Sequence, residues 1–115
     1  MLYMLLIHAG EEAYAEKTEE EMGAMVAEYE QVAADLEGAG AMVSSHRLRP
    51  VETATTLRER DGEMLVTDGP FAETKEQLGG YYLIDVDDLD AAIAWGRRLP
   101  AVRSGSVEVR PVWEM

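Results

Sequence analysis

From Leu2 to His8 the sequence runs Leu-Tyr-Met-Leu-Leu-Ile-His, almost without polar interruption. A strand wetted on one side alternates apolar and polar residues, whereas an unbroken apolar run is the pattern of a central strand covered on both faces. The run is too short to cross a bilayer, and it lacks the basic flank and small-residue cleavage site of a secretory leader. A fold for this chain must therefore supply a layer on each side of its first strand.

The polar stretch from Ala9 to Lys17 reads as a loop leading to Thr18, whose hydroxyl can cap a helix while Glu21 bonds back to it. Met22, Met25, Val26, Tyr29, Ala33 and Leu36 then recur at helical spacing and line one face, and Gly38 and Gly40 end the helix. Met42 to Leu48 reads as a second strand, ahead of Pro50. Thr53 to Arg60 and Glu63 to Thr67 are β-prone stretches joined by Asp61-Gly62, the dipeptide suited to a type I′ hairpin turn. Asp68 to Gly80, punctuated by Pro70 and Gly79-Gly80, reads as a loop with room for a helical turn at Thr74 to Leu78.

Tyr81 to Val86 is the next expected strand. Asp87 or Asp88 caps a second helix with Leu89, Ala92, Ile93, Gly96 and Leu99 on one face, Arg97 and Arg98 in its last turn and Pro100 as its stop. Val107 to Trp113 is the last strand, placed at an edge by Pro111. This order predicts one α+β domain over residues 1–115, a ferredoxin-like split βαβ with an inserted β-hairpin. The strand from Tyr81 would lie between the first two strands, antiparallel to both, and both helices would cover one face. A second copy packed by two-fold symmetry is the simplest cover for the other face, so a homodimer is expected.

Charge narrows the partners. Twenty-three acidic against ten basic side chains leave −13, which repels phosphate backbones and anionic lipid and argues against direct nucleic-acid or membrane binding. With no cysteine, disulfides, thiolate metal sites and cysteine nucleophiles are excluded, and a reducing cytoplasm suits the chain. No metal-ligand spacing is present and no glycine-rich phosphate loop follows a strand, so the sequence calls for no cofactor or metal. The acidic cluster Glu16, Glu19, Glu20 and Glu21 surrounds a helix N-terminus, where negative charge is stabilising by itself.

The expected topology brings His8, His46, Asp68, Glu73, Lys75, Glu76 and Tyr81 toward one end of the sheet. An imidazole within reach of a carboxylate there could relay protons near neutral pH, which suits enolisation, elimination or isomerisation of a small acidic organic substrate. Each member also has a plain structural account. His8 and His46 can be satisfied structural or surface histidines, and Glu73, Lys75 and Glu76 can form a solvated charged loop. In Asp68-Gly69-Pro70-Phe71 the aspartate can bond its own downstream backbone, glycine and proline can set a turn, and phenylalanine can anchor it in the core.

The segment Asp68-Gly69-Pro70-Phe71-Ala72-Glu73-Thr74-Lys75-Glu76-Gln77-Leu78-Gly79-Gly80-Tyr81-Tyr82 resembles the signature of the DGPF-domain proteins, a branch of the YCII-related family. The likeness extends to Met1 through Ile7, Thr53 through Arg58, Asp88 through Ala92 and Val107 through Val112. It implies a dimeric α/β-barrel of ferredoxin-like protomers. It also implies a histidine and aspartate pair of the kind used by related YCII-type proteins, one group of which removes halide from chlorinated hydroxyquinols. Many DGPF proteins are encoded beside, or fused to, extracytoplasmic-function sigma factors. The carry-over reaches Asp68 and its loop; tyrosine often stands in the family where His8 stands, and His46 matches no family motif.

Two functional classes follow. In the first the protein is a small-molecule lyase or isomerase, with Asp68 orienting or activating His8 and with His46, Arg47, Glu73, Lys75 and Tyr81 around a small anionic organic ligand. In the second it is a non-catalytic accessory dimer whose negative charge suits the basic surfaces of a sigma factor.

Overall fold

The computed structural model describes residues 1–114. The apolar opening run forms β1 (Leu2–Ala9), which lies inside a four-stranded sheet and is hydrogen-bonded on both sides. After it come α1 (Glu11–Ala15), α2 (Glu19–Gly38), β2 (Met42–Arg47), a 3-10 turn at Val51–Thr53, β3 (Thr55–Arg60), β4 (Glu63–Asp68), β5 (Gln77–Asp85), α3 (Leu89–Gly96), α4 (Ala101–Ser104) and β6 (Ser106–Pro111). The main sheet has the order β2-β5-β1-β6, and each neighbouring pair is antiparallel. Strands β3 and β4 pair with each other as a separate two-stranded sheet. The chain is thus a mixed α+β structure, and neither sheet closes into a barrel within it.

Side chains of β1 alternate between two environments. Tyr3, Leu5, Ile7 and Ala9 are buried, and Leu2, Met4, Leu6 and His8 are half-buried. Tyr3, Leu5 and Ile7 pack with Tyr82 and Ile84 of β5, Val32 and Leu36 of α2, and Ala92, Leu99 and Ala101. All the helical core residues therefore lie on one side of the sheet. Within this chain β1 has its full cover on that side only, so the opposite layer that the apolar run called for is not supplied by the chain itself.

Local chemistry explains the helix ends. Thr18 Oγ1 accepts from the Glu21 backbone N–H at 3.1 Å, and the Glu21 carboxylate accepts from the Thr18 N–H at 3.3 Å, which completes a capping box. At the other end of α2 the Ala41 N–H reaches the Leu36 carbonyl and the Gly40 N–H reaches that of Glu37. That pairing needs Gly40 at φ 71°, where a side chain would be strained. Asp88, not Asp87, caps α3 by accepting from the Ala91 N–H at 2.9 Å. At the hairpin tip Asp61 and Gly62 take φ 53° and 79°, the positive pair that a type I′ turn requires.

Several boundaries differ from the sequence reading. The stretch from Ala9 to Lys17 contains α1, a five-residue helix without an apolar stripe to betray it. β5 starts at Gln77, so Gly79 and Gly80 are strand residues and no helical turn forms at Thr74 to Leu78. The reason is close approach: a Cβ on Gly80 would lie 2.9 Å from the His46 carbonyl oxygen across the ladder. The second long helix stops at Gly96, and Leu99 enters the core through a turn before the short α4. β6 ends at Pro111, short of Trp113: the Val112 N–H still donates to the Leu2 carbonyl at 3.0 Å, but the Leu2 N–H turns to the Glu114 carboxylate at 3.1 Å instead of completing the ladder.

Candidate functional site

A cleft of about 500 Å³ opens between α2 and the end of the sheet where β1 and β2 finish. Its α2 wall carries Met25, Val26, Tyr29 and Glu30, one turn of the helical face read from the sequence. Tyr14 of α1 and Tyr82 of β5 complete a cluster with Tyr29. Arg47, at the end of β2, and Arg49 beyond it also line the cleft. Glu11 of α1 accepts from the Val51 N–H at 2.7 Å, which ties α1 to the 3-10 turn on the far side of the cleft.

Tyr29 and Tyr82 are held in their neutral form. Burial pushes the Tyr29 phenol up to about 12, with the neighbouring Tyr14 adding to the shift, while a hydrogen bond from the Ala101 backbone acts the other way. Burial also raises Tyr82. A neutral phenol beside guanidinium groups in a largely apolar cleft can hydrogen-bond the oxygen of a small organic anion whose body packs on Met25, Val26 and the tyrosine rings.

The residues singled out from the sequence separate into three places. His46 and Tyr81 form a cross-strand pair on β2 and β5, with Nδ1 and the phenolic oxygen 2.9 Å apart and ring centroids at 5.7 Å. Both border the cleft, as Arg47 does. His8 lies on the half-covered side of β1, its Nε2 3.3 Å from Glu108 Oε1, and Glu108 also pairs with Arg110. The Arg110 hydrogen bond, with His8 contributing less, holds the Glu108 carboxyl below the usual carboxylate range.

Asp68, Glu73 and Lys75 line a second, shallower depression of about 810 Å³ with Glu11, Glu16 and Glu76. Among the described residues no hydrogen bond joins Asp68 to His8 or to His46. Gln77 pins the loop by donating from Nε2 to the Ala72 and Thr74 carbonyls at 3.0 and 3.1 Å.

The turn at Asp68 is built differently from its sequence reading. The Gly69 N–H donates to Ala54 O and Thr56 Oγ1 donates to Gly69 O, both at 2.7 Å, so hairpin backbone and a threonine do the work expected of the aspartate side chain. Gly69 sits at φ 105°, which only glycine adopts easily. Phe71 does not anchor the turn in the core: it is 76% exposed, and its carbonyl accepts from Arg58. The cleft residues that the sequence did not single out include Tyr14, Tyr29, Glu30, Arg49 and Tyr82. Tyr29 was indistinguishable from a core residue on a helical stripe, and Tyr14 stood in a stretch without periodicity.

No helix among the described residues is long and apolar enough to cross a membrane. The sequence profile of the YCII-related domain matches residues 1–115. An uncharacterised protein of Rhizobium meliloti (strain 1021) is similar to the chain, with 41% identity over 114 residues, covering 97% of this chain and 92% of the relative.

Proposed function

The chain belongs to the YCII-related domain family, and from that premise we propose that its protomers are ferredoxin-like and pair as a homodimeric α/β-barrel in which each protomer binds a small organic anion in the cleft between α2 and the sheet. The observation that carries the ligand reading is the lining itself: Arg47 and Arg49 beside Tyr14, Tyr29 and Tyr82, over an apolar floor. The half-covered sheet side, with Leu2, Met4 and Leu6 of β1, supports a second copy as its cover.

The chemistry best suited to such a site is proton transfer at a carbon next to a carboxylate or carbonyl, as in a lyase or isomerase. Arg47 would hold the anion, neutral Tyr29 would donate to the developing oxyanion, and Glu30 on the same helical turn would accept the proton. A His8–Asp68 dyad is the other candidate arrangement; it requires Asp68 to approach an imidazole that Glu108 engages in the protomer. The non-catalytic reading, with a sigma factor as partner, draws its support from the formal charge of −13.

The test is a ligand screen by two-dimensional amide NMR with benzoate, salicylate and short 2-oxo acids, repeated in Arg47→Ala and Tyr29→Phe. Saturable shifts confined to the cleft and lost in Arg47→Ala would support the proposal. If no acid binds at millimolar concentration, or if binding ignores both substitutions, the ligand reading is wrong and salt-sensitive capture of a basic protein partner becomes the experiment to run.

A further inference from the structure

The β3–β4 hairpin belongs to no layer of the domain. Its strands pair only with each other, and eleven of their twelve residues are exposed. The molecule is flat, 48 × 43 × 18 Å, with a radius of gyration of 16.1 Å where a compact chain of this length would have about 13 Å.

The ladder register divides the hairpin into two faces. Leu57 stands opposite Val66 and Glu59 opposite Met64, so Leu57, Met64 and Val66 share one face with Glu59 and Asp68. These three apolar side chains are 63, 62 and 65% exposed. Arg58, Arg60 and Thr56 occupy the other face with Leu65. A lone two-stranded ribbon is at best marginally stable in water, so one carrying an apolar face folds durably only against a surface that is present whenever the chain is folded.

We propose that the β3–β4 hairpin is an intersubunit clasp that lays its Leu57, Met64 and Val66 face on the sheet layer of a second copy of this chain. The proposal rests on the homodimer reading above and adds to it the element that crosses between subunits. One observation favours a second copy over a foreign protein. The chain itself carries the surface that the arm lacks, the half-covered sheet side with Leu2, Met4 and Leu6. Charge on that sheet side is mixed, with Glu108 and Asp85 beside Arg110, so the apolar match carries the choice. An exchange of arms about a two-fold axis satisfies both unpartnered surfaces twice with one geometry.

The test measures subunit mass and dissociation by light scattering and sedimentation for the natural chain and for the double variant Leu57→Glu with Val66→Glu. The exposed arm should leave the main sheet's circular dichroism unchanged. A benzophenone maleimide is attached in parallel at Met64→Cys, which is the only thiol in the molecule because the natural chain has none. Crosslinks are read in a mixture of isotope-labelled and unlabelled chains.

A two-chain natural protein, dissociation weakened at least about 30-fold in the double variant, and Met64→Cys crosslinks between labelled and unlabelled chains would support the clasp. A two-chain protein whose variant dissociates normally, with crosslinks absent, within one chain or to a different protein, would overturn the clasp and leave the dimer standing. A single-chain natural protein would remove both.

Discussion

The Arg103 guanidinium of α4 donates through both terminal nitrogens to the two carboxylate oxygens of Glu28 on α2, each at 2.9 Å. This parallel pairing joins helices distant in sequence across the covered face of the sheet, and it holds the Glu28 carboxyl below its ordinary value. Asp35 on the same helix is lowered in the same way, first by Arg98 and then by Gln31.

A depressed carboxyl stabilises the fold above its unfolded value, near 4.5 for Glu28, and that contribution is lost as pH falls through the lower folded value. Arg103→Ala should therefore lower the urea midpoint slightly at neutral pH, less in high salt, and the difference from the natural chain should vanish in acid. Unfolding followed by circular dichroism at both pH values checks this; a difference that survives in acid would mean that packing of the arginine stem, not the ion pair, is responsible.

At the alkaline end the sign reverses. The Tyr29 phenol, raised from 10.0 to about 12, and the Tyr82 phenol, also raised, bind their protons more tightly folded than unfolded. Stability is therefore complete below about 10 and is lost as pH rises from there toward 12. Tyrosinate absorbance should rise in two stages, the later one coincident with loss of helix, and Tyr29→Phe should shrink that later stage.

Two glycines separate steric need from mere occurrence. A Cβ at Gly105 would lie 2.3 Å from the His8 carbonyl oxygen and 3.0 Å from Ala9 Cα, both backbone atoms that cannot step aside. A Cβ at Gly23, within α2, meets nothing within 4 Å. Gly105→Ala should force β6 from β1 and unfold a large fraction of the protein, while Gly23→Ala should stabilise it by about 0.5–1 kcal/mol. Thermal midpoints that moved the same way for both would contradict the structure.

Leu36 is fully buried against β1 and β5, and Leu36→Ala should cost about 2–5 kcal/mol. Val26→Ala, nearer the start of the same helix and 39% exposed, should cost much less. The pair tests whether α2 is anchored through its C-terminal half, leaving the half that carries Met25 and Tyr29 free to adjust at the cleft.

Local signals with a fixed backbone consequence were readable from the sequence. Thr18 with Glu21, Asp61 with Gly62, and the Gly40 helix end all encode geometry within a few residues, and each appears as read. Signals that depend on distant chain were not. Gly79 and Gly80 look like loop residues until His46 is known to lie against them, and Phe71 looks like an anchor until the arm it serves is seen to stand apart from the core. The site was legible in part for the same reason. Arg47, His46 and Tyr81 were singled out and border the cleft, but nothing in the sequence distinguished Tyr29 from a core residue or placed Tyr14 opposite it.

The strand order also has a temporal meaning. β1 is bonded on one side to β5 and on the other to β6, so this strand finds its neighbours only after Gln77 and Ser106 have been made. A nascent chain therefore carries its most apolar segment with both edges unpaired until those later strands have been made. The sheet cannot close progressively behind the growing chain. It closes in a late, long-range step, the kind of pairing that forms slowly and leaves apolar strand edges open until it is complete.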